Sequence, residues 1–416
     1  MRYHLAFLFV LVLLVGAIDW FLWQIWSKNT LPPKIKKVLG ITAFMILPVG
    51  FLSGFFIFGF LIPDANGYEV YNAFSVFLTI FLLIYLPKVF FLFVYGVGRL
   101  PLVFQKKPEK ERKRHYPGIS RAKFLSQIGI IMATAPFVAL LFGVLKGRFA
   151  FYTRHLKLNF PNLPKAFDGL KIVQISDLHL GSFGTNRDPL KEAVELINEE
   201  KPDIVLFTGD LVNNFAGETR GWEEILGKIK APLGKYSILG NHDYGDYSTW
   251  PSKDRKAANF KSIVSANRRL GFQLLRNESV SIEKDGAKIA LSGVENWGHP
   301  PFPQYGDIDK AWEQVNDETF KILMSHDPDH WDAKVVGKKS YDLTLAGHTH
   351  GMQFGVEVGS FNWSPAKYKF KRWAGLYQVG KQFLYVNRGL GYLGMPARVG
   401  MPPEITVFTL SKPKDT

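Results

Sequence analysis

The sequence predicts an α/β fold of two packed sheets flanked by helices, preceded by an N-terminal bundle of about four transmembrane helices. Three observations lead there. Nearly all long apolar runs lie before residue 146. From Leu170 onward strand-like and helix-like stretches alternate, and later segments are strand-rich. Five short polar motifs punctuate that second region, each just after an apolar, β-branched run.

The first region contains four segments, 5–26, 38–62, 70–97 and 125–145, apolar enough to cross about 30 Å of hydrocarbon, which takes roughly 20 residues each. The first begins after Arg2 and holds Val15-Gly16-Ala17, as a secretory signal would, but three further spans follow at once, so it reads as a retained helix. Asp19 and Lys88 fall inside spans near helix ends or Pro87, which points to snorkelling toward the interface. Lys28, Lys34, Lys36 and Lys37 occupy one short loop, and Arg99, Lys106, Lys107, Lys110, Arg112, Lys113, Arg114, Arg121 and Lys123 another; the loop between spans two and three has no Lys or Arg. The positive-inside rule puts both basic loops in the cytoplasm and everything after the fourth span on the opposite face. The run 106–123 reads as contact with anionic headgroups or as a site for a regulator.

Charge divides the same way. Up to Asp168 there are 20 Lys/Arg against 6 Asp/Glu; from Gly169 on the counts are 31 against 30. Of the net +15, +14 lies before Gly169, and nucleic acid is not an expected partner. With no cysteine, thiolate metal sites, disulfides and cysteine nucleophiles are excluded.

In the second region, 149–168 reads as a linker or a first edge strand. Strands are expected at 170–175, 204–207, 236–239, 272–275, 279–283, 288–292, 321–324, 342–345, 383–386 and 405–410. Helical periodicity marks 188–199, 222–229 and 253–270.

The five motifs are Asp177-Leu178-His179, Gly209-Asp210, Gly240-Asn241-His242-Asp243, Ser325-His326 and Gly347-His348-Thr349-His350. Ligands in α/β sheets collect beyond the carboxyl ends of strands, and each motif follows such an end. Carboxylate, amide and imidazole donors suit Mn, Fe or Zn better than Ca. Two cations about 3.5–4 Å apart need a bridging ligand, which a carboxylate supplies and an imidazole does not, so Asp210 is the natural bridge.

In order and in its glycines this set resembles the calcineurin-like metallophosphoesterases, membrane-anchored or exported branch, over about 170–410; Asn387-Arg388-Gly389-Leu390-Gly391 adds to the likeness. The resemblance implies a two-sheet metallophosphoesterase sandwich as catalytic domain at 169–416, behind a transmembrane region at 1–148 and a linker at 149–168. It also implies that Asp177, His179 and His350 hold one divalent metal ion, that Asn241, His326 and His348 hold the second, and that Asp210 bridges. His242 stays free of metal as the catalytic residue that protonates the leaving oxygen or orients the phosphate. The activity implied is hydrolysis of a phosphoester or pyrophosphate bond, with a metal-activated hydroxide attacking phosphorus in line.

Several residues carry two readings. Asp243 either caps backbone amides or forms a dyad with His242. Arg388 contacts phosphate or holds a loop carbonyl. His299 and His330 match no ligand and read as surface or supporting residues. The aromatic, basic segment 352–372 reads as a flap over an anionic, partly apolar substrate, a hairpin on the lipid surface, or an ordinary hairpin. The expected partners are a phosphorylated substrate, with lipid-linked phosphates among the candidates, and membrane lipids, with the catalytic domain extracytoplasmic. Alternatives are a metal-binding membrane sensor without turnover, a transporter with an appended domain, or, were the domain cytoplasmic, a nucleotide-sugar lipid pyrophosphatase.

Overall fold

The computed structural model describes residues 2–26, 33–58, 68–103, 121–298, 300, 303–315, 317–359 and 361–413. Two compact units emerge, Met1–Ala65 with Ala73–Phe142, and Asn66–Asn72 with Gly143–Thr416.

The first unit is helical: Arg2–Trp26, then Pro33–Ile41 running through a π-helical Thr42–Ile46 into Leu47–Phe56, then Tyr68–Val103 and Arg121–Leu145. Pro33–Phe56, Ala73–Val97 and Gln127–Phe149 are long and apolar enough to cross a membrane, and Phe9–Ile25 is a shorter apolar helix. Most of the basic run at 106–120, with Lys28, lies outside the described residues. Asp19 and Lys88 do not snorkel. Asp19 is buried, its Oδ1 2.7 Å from Lys88 Nζ, and Tyr85 Oη donates to its Oδ2 at 2.8 Å. Each charge finds a partner on another helix, a cheaper way to keep an ion in an apolar setting than reaching for water.

The second unit holds two six-stranded sheets. The first runs β1 (Tyr152–Asn159), β14 (Glu404–Ser411), β2 (Lys171–Ile175), β3 (Ile204–Phe207), β4 (Lys235–Ser237) and β5 (Gln273–Leu274). The second runs β12 (Gly375–Val379), β13 (Gln382–Val386), β9 (Leu343–Ala346), β8 (Lys321–Met324), β7 (Ala287–Gly293) and β6 (Glu278–Lys284); β10 (Val356–Val358) and β11 (Phe361–Trp363) form a separate hairpin. Within 149–168, Tyr152–Asn159 form an edge strand, β1, which pairs in parallel with β14.

Side-chain alternation builds the layers. In β3, Ile204 and Leu206 enter the core between the sheets, while Val205 and Phe207 meet the helices outside. In β8, Ile322 and Met324 face inward and Leu323 packs outward with Trp331 and Val335. Being covered on both faces, Ile204–Phe207 and Ile322–Met324 read as unbroken apolar runs. Helix Asp188–Glu199 lays Leu190, Ala193, Val194 and Ile197 on the first sheet at helical spacing. Helix Lys253–Arg269 starts where Ser252 Oγ accepts the Arg255 N–H at 3.2 Å. Because β2, β3 and β4 run parallel, as do β7, β8 and β9, the loops that follow β2, β3, β4, β8 and β9 leave from matching ends.

Candidate metal centre

Those loops carry the motifs, and they converge. The donor atoms of Asp177, His179 and His350 lie within 4.8 Å of one another, as do those of Asp210, His326 and His348. His179 Nε2 is 3.1 Å from His350 Nε2, which is 3.2 Å from Asp177 Oδ1. Asn241 Oδ1 stands 3.0 Å from His326 Nε2 and 2.8 Å from His348 Nδ1, completing the second group. Asp210 Oδ2 faces both groups, 3.5 Å from His179 Nε2 and 3.2 Å from His326 Nε2. Its other oxygen accepts the His242 N–H at 2.9 Å, so a single oxygen is common to both groups.

The backbone is held unfavourably to achieve this. Asp177, His179, Asp210, His348 and His350 all adopt positive φ, from 45° to 72°. Each costs on the order of 1 kcal/mol or more for a residue with a Cβ. Gly209 permits a close approach of two backbones: at φ 96° a Cβ there would meet the Gly240 nitrogen at 2.6 Å.

The residues fit a pair of divalent cations. Ions with bonds of about 2.0–2.2 Å to nitrogen and oxygen have neighbouring donors roughly 3 Å apart, the spacing found here. Asp177 and Asp210 are fully buried, so their charges need positive charge beside them. Burial would raise both carboxyls, but His350 beside Asp177 and His326 beside Asp210 hold them below the usual carboxylate range. Burial pushes His179 down to about 3, and burial with the neighbouring His326 does the same to His348. His326 moves the other way, to about 10, because the Asp210 carboxylate outweighs its burial. His326 Nδ1 faces the Thr208 carbonyl at 2.7 Å, which leaves Nε2 for the centre.

His242 lies outside both donor groups. Its Nδ1 faces the Asn213 carbonyl at 2.7 Å, its ring stacks on Tyr247 at 4.4 Å, and burial lowers its pKa. Asp243 caps backbone: Oδ1 accepts from Leu211 and Val212, Oδ2 from Asp210 and Gly240, and burial raises its carboxyl to about 7.

Both readings of Arg388 fail, because it is buried against Glu404 at 2.6 Å and Glu357 at 3.2 Å. Arg398 is the arginine that holds loop carbonyls, donating to those of Arg388, Gly389, Gly391 and Met401 and lying 3.3 Å from His350 Nδ1. His330 is not a surface residue: it is buried, 2.8 Å from Ser325 Oγ, and stacked on Trp297. His299 lies outside the described residues. Sequence reasoning also missed Tyr247, whose Oη receives a hydrogen bond from Asn241 Nδ2 at 2.8 Å, and Glu218. The Glu218 carboxylate ties Gly181 to Asn213, Asn214 and Phe215 through their N–H groups. The one carboxylate in the loop 211–220 that follows the Asp210 motif was the available signal for Glu218; Tyr247 and Arg398 carried none.

Comparison with known proteins gives the same class. The family model described as calcineurin-like phosphoesterase matches residues 170–352, and that described as probable calcineurin-like phosphoesterase, transmembrane domain, matches 1–148. The chain is 38% identical over 256 residues to the uncharacterized metallophosphoesterase YkuE of Bacillus subtilis, covering 60% of this chain and 81% of that one. It is 28% identical over 340 residues to a transmembrane protein with metallophosphoesterase domain of Danio rerio, covering 79% and 72%. It is also 32% identical over 305 residues to the UDP-2,3-diacylglucosamine pyrophosphatase LpxG of Chlamydia trachomatis, covering 61% and 88%. The chain belongs to the calcineurin-like phosphoesterase family, metal-dependent phosphohydrolases with a dinuclear metal centre, and is a membrane-associated member of it.

Proposed function

We propose that this chain hydrolyses a phosphoester or pyrophosphate bond of a lipid-linked or envelope substrate, at a two-metal centre held beside the membrane. Convergence of the two donor groups on Asp210 Oδ2 is the observation that carries the reading. Asp177, His179 and His350 hold one ion, Asn241, His326 and His348 the other, and Asp210 is shared; a donor set of oxygen and nitrogen without thiolate suits Mn, Fe or Zn. When bound, the ions supply Lewis acidity and a water that ionises near neutral pH. With Nδ1–H donated to the Asn213 carbonyl and the ring steadied by Tyr247, His242 presents Nε2 to the substrate; there it takes up a proton beside the anionic phosphate and, as imidazolium, orients the phosphate or hands that proton to the leaving oxygen.

The test is His242→Ala. Turnover falls about 10²–10⁴-fold while metal content stays intact. Loss of both ions would make His242 a ligand and overturn the assignment. Metal bound by the unaltered chain with no turnover on phosphomonoester, phosphodiester and pyrophosphate panels would support the sensor instead.

The basic loops support a domain on the extracytoplasmic side. The likeness to LpxG favours a second reading, a nucleotide-sugar lipid pyrophosphatase with a cytoplasmic domain. A reporter fused after Thr416 separates them: activity confined to the cytoplasm removes the outward orientation and favours the second reading.

A further inference from the structure

The β10–β11 hairpin has no core of its own. Val356 pairs with Trp363 and Val358 with Phe361, so strand alternation gathers these four on one face and leaves Glu357 and Asn362 on the other. The apolar face is open: Val356 is 44% exposed, Val358 70% and Phe361 60%. Such a hairpin is marginal in water by itself, and monomers seldom expose contiguous apolar patches of this kind without a partner. The polar face is anchored. Glu357 lies 3.0 Å from Arg154 and 3.2 Å from Arg388, so the acid of the hairpin is neutralised. Arg154 stands on β1, nine residues beyond Leu145, where the last apolar helix ends. Nine residues span at most about 30 Å, so Arg154 can lie no farther than that from the end of this helix. Beyond the hairpin, Lys367, Tyr368 and Lys369 are exposed, whereas Lys371 and Arg372 are engaged by Asp332. The same segment reaches the metal centre: Phe370 lies edge-on to His348 at 5.4 Å, and Ser364 Oγ donates to the Gly351 carbonyl at 2.6 Å.

We infer that the apolar face of β10–β11, flanked by Lys367 and Lys369, docks into the interface of the bilayer that anchors the chain and holds the metal centre at headgroup depth. Apolar side chains enter the acyl boundary while the lysines meet anionic headgroups. The inference deepens the proposed function and rests on it for one point, a substrate whose phosphate is presented at the lipid surface.

The absence of cysteine makes the test clean. Full-length chain carrying Val358→Cys, Phe361→Cys or, as a control on an exposed strand position, Glu283→Cys is labelled with bimane and reconstituted in vesicles of phosphatidylcholine and phosphatidylglycerol. Lipids spin-labelled near the headgroup should quench the probes at 358 and 361 but not the one at 283. No quenching at 358 and 361, equal quenching at all three, or quenching only when an acyl substrate is added would each overturn the docking. In parallel, the Val358→Asp/Phe361→Asp variant should lose at least about tenfold in turnover of a vesicle-borne lipid phosphate, from lost burial of two apolar side chains. Its turnover of a soluble chromogenic phosphodiester should be unchanged; an equal loss on both substrates overturns the inference. Quenching needs no catalysis, so a chain that docks without turnover sinks the proposed function and leaves the docking standing.

Discussion

Asp243→Asn tests whether one buried carboxylate holds the two central loops of the site in register. Oδ1 accepts the N–H groups of Leu211 at 2.9 Å and Val212 at 3.2 Å, and Oδ2 those of Asp210 at 3.1 Å and Gly240 at 2.9 Å. Asparagine keeps one acceptor oxygen. Whichever way the amide turns, two buried backbone donors then face an NH₂ group. Each orphaned donor costs about 1–3 kcal/mol, so the substitution destabilises by roughly 2–6 kcal/mol. In a domain of this size that lowers the thermal midpoint by roughly 5–20 °C. Asp210 and Asn241 leave their places with the loops, so metal content falls too. Differential scanning fluorimetry and metal analysis of the purified chain read both effects. A variant with unchanged melting and full metal content would refute the argument that Asp243 acts by capping, and would reopen a dyad with His242.

Other perturbations follow from buried groups. Burial, helped by Lys334, pushes His330 down to about 4, so the ring stays neutral in the folded chain while the unfolded chain takes up a proton below about 6.5. Stability present above pH 6.5 is therefore lost as pH falls toward 4, by about 3 kcal/mol, and His330→Asn should flatten that part of a melting-versus-pH curve. Lys88→Met strands the buried Asp19 charge and should cost about 3–5 kcal/mol, with Asp19→Leu added to it restoring much of the loss in detergent melts. Gly347→Ala drives a Cβ into Ser176 Oγ and the Asp177 carboxylate, costing about 1–3 kcal/mol and displacing a proposed ligand, which metal stoichiometry would report.

Much of this was legible in the chain. The expected strands 204–207 and 321–324 coincide with β3 and β8 because both are buried on two faces, so Ile204–Phe207 and Ile322–Met324 are continuous apolar runs. The motif residues lay at strand ends, where parallel strands deliver their loops to one place. Partners far apart in the chain were not legible. Asp19 and Lys88 each looked like a lone charge at a helix end, 69 residues apart. Arg388 and Arg398 were two arginines in one glycine-rich stretch, and only packing decides that Glu404 takes the first while the loop carbonyls take the second. β12 and β1 were likewise not legible as strands, because each is an edge strand defined by pairing, with β13 and with β14.

By itself the sequence determined which donors exist, their order, and that each follows a strand end, since periodicity and residue chemistry are local properties. Only the tertiary structure decided that a single oxygen of Asp210 faces both donor groups, that five donors sit at positive φ, and that the hairpin turns its polar face to Arg154. Those outcomes depend on contacts between residues tens to hundreds of positions apart, and such contacts exist only once the two sheets have packed.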